Sequence, residues 1–237
     1  MTRTANPDVH AIRAIVARDL RAVRRSKAVV IPRLTVPVIL MVILPLVVGY
    51  AARRASRTGA RIEFLESLPS QLSDPISTLP PEEQLLTLVL GFLLAPLFLI
   101  VPLMVSSVIA ADSFVGEKER KSLEALLHSP LTDGELLAAK LLAPWIAAVG
   151  ISLVSFVLYG VVANGVGWPV MGRIFFPSGM WLVLVLWLTP AVAAFGLGVT
   201  VLISSRVRTF QEAYQLGGIV VLPLVALIIG QVMGLIH

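Results

Sequence analysis

Five stretches of this chain, 34–52, 84–111, 141–163, 178–203 and 213–236, contain no Asp, Glu, Lys or Arg and are mostly apolar. Each matches the roughly 20 residues that an α-helix needs to cross a hydrocarbon core about 30 Å thick. Lipid offers no hydrogen-bond partner, so a crossing segment must satisfy its own backbone, and a helix does this within one segment. The chain therefore reads as an all-α, polytopic helical membrane protein, a single transmembrane domain over residues 1–237. A hydrophobic content of 57%, a charged content of 14% and a mean hydropathy of +0.91 agree with that class. Seventeen glycines and sixteen prolines would break up soluble helices, whereas neighbouring helices make them tolerable in a membrane.

The segments between the spans set the orientation. Residues 9–27 place Ile12, Ile15, Val16, Leu20 and Val23 on one side, with Arg13, Arg18, Arg21, Arg24 and Arg25 over the rest. That pattern predicts an interfacial helix with its arginines among lipid phosphates. Residues 53–83 form a polar connection, basic at its start and acidic at its end. Fourteen of the nineteen basic residues fall on one side if the N-terminus is cytoplasmic, so the positive-inside rule predicts that orientation in the cytoplasmic membrane. Anionic headgroups account for the net charge of +5, and no nucleic acid is needed.

One dense island of charge interrupts the apolar chain: Asp112 to Pro130, with Glu117, Glu119, Arg120 and Glu124 among Leu123, Leu126 and Leu127. The leucine spacing predicts a short amphipathic helix. Glu117 with Lys121 and Arg120 with Glu124 form opposite-charge pairs four apart, and Pro130 ends the pattern. Thr132 and Glu135 then have capping-box spacing before the apolar run at Leu136. On pattern alone, a solvated loop helix between two spans is an equal reading.

Catalytic patterns are absent from the sequence. Cysteine does not occur, which excludes disulfides and thiolate chemistry. His10, His128 and His237 are far apart, so no metal site or cofactor is expected. No phosphate-binding G-x-x-x-x-G-K-[ST] motif occurs, and no acid lies within a span to form a proton relay. Thr87, Ser106, Ser107, Ser152, Ser155, Asn164, Thr189, Thr200 and Gln231 are expected to make hydrogen bonds between helices. Gly196 and Gly198 are expected to let another helix approach closely.

The run Gly116-Glu-Lys-Glu-Arg-Lys-Ser-Leu-Glu-Ala-Leu-Leu-His-Ser-Pro130, with Lys140 ten residues on, resembles the cytoplasmic signature of ABC-2 type permeases. The sodium-efflux and copper-maturation-like branches are the nearest in pattern. Ala139 stands where that signature has glycine. The large first outer loop, the N-terminal amphipathic helix and the Phe210-Gln-Glu-Ala segment extend the resemblance over most of the chain. The resemblance implies a non-enzymatic permease paired with a second permease and with cytoplasmic ABC ATPase subunits. Residues 112–135 would be the coupling segment. Leu123, Leu126 and Leu127 would anchor it, with Pro130 at its end and Glu117, Glu119, Arg120 and Glu124 supplying orienting charge. Residues 9–27 would be the elbow helix. Six spans are usual in that family and five are counted here, so the sixth is missing from this chain or the pattern is modified.

Taken together, these features predict the membrane subunit of an exporter driven by ATP hydrolysis in another protein. The alternative is a non-transporting membrane anchor or truncated regulatory subunit that recruits a cytoplasmic partner through residues 112–135.

Overall fold

The computed structural model describes residues 9–25, 34–58, 76–119, 132–207 and 209–232. All regular structure among them is helical: α1 (Val9–Arg25), α2 (Leu34–Arg54), α3 (Glu83–Glu119), α4 (Asp133–Met171), α5 (Gly179–Ser204), α6 (Phe210–Ile219) and α7 (Val221–Val232). Four of these, α2 to α5, are long and apolar enough to cross a membrane. The fifth apolar stretch is divided at Val220 into the shorter α6 and α7.

Two helices are much longer than their apolar runs. At 1.5 Å per residue, the 39 residues of α4 extend about 58 Å, nearly twice the thickness of the hydrocarbon. The second span does not stop at Ala111. A wide π-type turn over Asp112–Gly116 carries α3 onward to Glu119, with Asp112, Ser113, Val115 and Gly116 buried. The described part of the charged island is thus the end of α3 and not a separate helix. Charge does not stop the helix here, because Glu117 and Glu119 find partners on other elements.

Local sequence explains the helix ends. Pro81 occupies the first turn leading into α3, after an extended Pro80, where proline's missing N–H costs nothing. The predicted capping box opens α4: Glu135 accepts from the Thr132 N–H at 2.9 Å, and the Thr132 hydroxyl accepts from the Glu135 N–H at 3.4 Å. Gly172, at φ +61°, closes α4 with its N–H on the Trp168 carbonyl in the left-handed conformation that glycine adopts freely.

The chain divides into two compact units. The first takes Met1–Leu34, Pro102–Ile151 and Pro190–Val221. Its apolar centre is Ala111, Val115, Val207 and Ala213, with Ile203 and Phe210 packed against it. Here α3 and α5 cross closely: a Cβ built on Gly196 would lie 2.9 Å from the Leu103 carbonyl oxygen and 2.7 Å from the Ser106 hydroxyl. Gly196 therefore has the role expected of it. Gly198 faces open space.

The second unit takes Thr35–Val101, Ser152–Thr189 and Leu222–His237. Its centre is aromatic. Tyr159 and Trp181 stack with centroids 4.7 Å apart, and Phe98, Phe156 and Phe176 meet them edge-on or tilted. A π-type turn in α3 (Thr87–Leu93) departs from the regular hydrogen-bond ladder. Its Leu90 and Gly91 carbonyls accept from the Tyr159 hydroxyl and the Trp181 indole N–H. The α4–α5 connection is fastened by Asn164, whose amide donates to the carbonyls of Gly160 and Phe176 and accepts from the N–H groups of Phe175 and Phe176.

The span hydroxyls correct one expectation. Ser106, Thr189 and Thr200 donate to carbonyls of their own helices, those of Leu103, Leu184 and Gly196. In an apolar surrounding the nearest acceptor is the preceding turn. Ser107 does cross, to the Gly196 carbonyl at 3.4 Å.

Candidate functional site

The charged residues of the first unit converge where the end of α3, the start of α4 and the middle of α1 meet. Along α1 the apolar stripe runs Ile12, Ile15, Val16, Leu20, and Asp19 sits within it at helical spacing. Helical periodicity therefore turns the one acid of α1 inward, and Asp19 is 5% exposed. Lys140 lies two turns inside α4, past the capping box, and is 3% exposed. It does not snorkel to a surface.

A buried ammonium and a buried carboxylate are each costly to desolvate unless paired. The Lys140 ammonium contacts the Glu117 carboxylate directly and donates to the Ser113 carbonyl at 3.4 Å. Ser113 belongs to the π-type turn of α3, so the irregular backbone there lies beside the cation. Arg18 makes a two-pronged contact with Asp19, at 2.7 and 3.0 Å from the same carboxylate oxygen, Oδ1.

Two longer contacts close a square. Arg18 Nη2 lies 3.8 Å from Glu117 Oε1, and Lys140 Nζ lies 3.8 Å from Asp19 Oδ2. That second aspartate oxygen is buried and accepts no hydrogen bond among the described residues. Among the described residues, these contacts bring together two cations and two carboxylates drawn from three helices.

Glu119 serves a different contact. Its carboxylate accepts from the Phe210 N–H at 3.2 Å, at the N-terminus of α6, where a negative charge also favours the helix dipole. Thr209 caps the same end, its hydroxyl accepting from the Glu212 N–H. The segment between α3 and α4 is thus flanked by Glu117 and Glu119, each bonded to another helix, on one side and by the Thr132–Glu135 capping box on the other.

The other residues singled out from the sequence are placed as follows. Arg120, Leu123, Glu124, Leu126, Leu127 and Pro130 lie outside the described residues. Arg13 and Arg21 are exposed on α1, and Arg21 donates to the Ala17 carbonyl. Arg18 is half-exposed and turned toward carboxylates. Arg24 and Arg25 end α1. Asp19 and Lys140 are the members of the network that charge patterning does not single out. An acid inside the apolar stripe of an otherwise basic helix is the signal that marks Asp19. For Lys140 the signal is a lysine in a helix whose start is displaced to Asp133 by the capping box.

A family model described as ABC-2 family transporter protein matches residues 13–236. No curated protein and no solved structure matches the chain significantly.

Proposed function

Because this chain belongs to the ABC-2 transporter family, whose membrane domains transport without catalysing a reaction, we propose that it is the permease subunit of an ABC-2 exporter. It is a multi-pass protein of the cell membrane, and family membership implies partnership with an ABC ATPase subunit. ATP is hydrolysed in that separate subunit, and a second permease, a copy or a relative, completes the complex. Residues 112–135 are the coupling segment. Leu123, Leu126 and Leu127 anchor in the ATPase, Arg120 and Glu124 orient the contact, and Pro130 ends the docking helix. The helix α1 lies along the cytoplasmic face as the elbow, and the apolar stretch of α6 and α7 is a fifth crossing.

The observation that carries this reading is the family match over nearly the whole chain. The fixed helix ends on either side of the segment support it. A segment that leaves α3 beside the Glu117–Lys140 contact with α4 and enters α4 through the Thr132–Glu135 box can pass a push from a docked protein into two spanning helices. A free loop would absorb such a push.

Co-purification with an ABC ATPase subunit in detergent, comparing the native chain with Leu127→Asp, tests the assignment. An ATPase retained by the native chain and lost with the substitution is the expected result. Retention by both chains removes the coupling role from Leu127. Retention with ATP turnover that is indifferent to the permease makes the chain a membrane anchor or regulatory subunit.

A further inference from the structure

The four charges of the square, Arg18, Asp19, Glu117 and Lys140, have two ways of pairing. In the observed one, Arg18 holds its neighbour Asp19, and Lys140 of α4 holds Glu117 of α3. Among these four groups, neither short contact joins α1 to the other two helices, and the pairs that do are the two 3.8 Å separations. In the other pairing, Arg18 takes Glu117 and Lys140 takes Asp19, and every short contact runs from α1 to α3 or α4. The same four groups therefore either bridge α1 to its neighbours at 3.8 Å or clamp it through short contacts.

We infer that this square is a partner-exchange latch for α1, with Asp19 Oδ2 as the vacant acceptor that Lys140 takes when Glu117 or Arg18 lets go. Three observations carry the inference. Asp19 Oδ2 is buried without a hydrogen bond, which a purely structural network would be expected to satisfy. The Lys140 ammonium is already 3.8 Å away, so a shift of about 1 Å makes a charge-assisted hydrogen bond. Exchange also leaves both cations and both carboxylates paired, so neither state strands a buried charge. Two pairings of one cluster, each of which neutralises all four charges, form a bistable element.

The inference goes beyond the proposed export function and is tested without any ATPase. Since the native chain has no cysteine, Ala14→Cys and Leu137→Cys place spin labels at exposed positions of α1 and α4. Electron–electron distance distributions are recorded for the full chain in lipid nanodiscs. Glu117→Gln and Arg18→Gln each free one member of the square, and each is expected to narrow the distribution as Lys140 closes on Asp19. Asp19→Leu removes the carboxylate and both acceptor oxygens and is expected to broaden it. The same change in all three variants, or no change in any, overturns the latch. Should Glu117→Gln fail to insert, Arg18→Gln, at a half-exposed position, decides in its place.

Discussion

Lys140 reaches from the second turn of α4 to the carboxylate of Glu117 at the end of α3, and only 4% of its side chain is exposed. The contact ties together the two helices that flank the charged loop, and it does so away from water.

A cation so enclosed makes its partners unequal under substitution. Lys140→Met leaves two enclosed carboxylates with one half-exposed arginine, and the expected loss is about 3–5 kcal/mol, the scale for breaking a buried pair. Glu117→Gln should cost less, because Asp19 stands within reach of the freed ammonium. The Lys140→Met, Glu117→Gln double variant should recover part of the first loss. Thermal unfolding in detergent reads all three, and additive losses would show that the two residues do not interact.

Close helix approach separates two glycines on α5. Gly196→Ala sets a methyl against the Leu103 carbonyl and the Ser106 hydroxyl, an overpacking expected to cost about 1–3 kcal/mol. Gly198→Ala meets nothing within 4 Å and should be neutral or stabilising by up to about 1 kcal/mol through helix propensity. Melting temperatures of the two variants should fall on opposite sides of the native value, or Gly198→Ala should match it.

Asn164 fastens the connection between α4 and α5 through four hydrogen bonds. Asn164→Leu removes all of them and should raise hydrogen exchange at the Phe175 and Phe176 amides at least tenfold. Asn164→Asp keeps the acceptor for those two N–H groups and loses the donor, so its exchange should fall between. Equal exchange in Asn164→Leu and the native chain would mean that packing alone holds the loop.

The charge asymmetry predicts a topology. In right-side-out membranes, an impermeant thiol reagent should label Ile174→Cys, 71% exposed beside α5, without permeabilisation. Ala14→Cys on α1 should require it. The reverse pattern would overturn the positive-inside orientation.

How much of this is legible in the chain depends on the range of the interaction. The capping box at Thr132 and Glu135 joins residues three apart, and the apolar lengths that make α2 to α5 competent to cross a membrane are continuous runs. Local spacing suffices for both. Gly196 and Gly198 are alike in sequence, and only the crossing with α3 distinguishes them. The end of α3 is a similar case: the charges after Ala111 mark a polar segment, and partners on α4 and α6 let the helix continue through it.

Helix type, apolar length, cap positions and the charge asymmetry follow from the chain alone, because each rests on neighbours within a turn or two or on simple counting. The pairing of Asp19, Glu117 and Lys140 does not. These residues lie on three helices, Asp19 far from the other two in sequence and Lys140 23 residues after Glu117, and any of the surrounding arginines and lysines is an equal candidate on sequence. Folding selects among them by burial: the few charges that helical periodicity turns inward must neutralise one another, while those turned outward are served by water and headgroups.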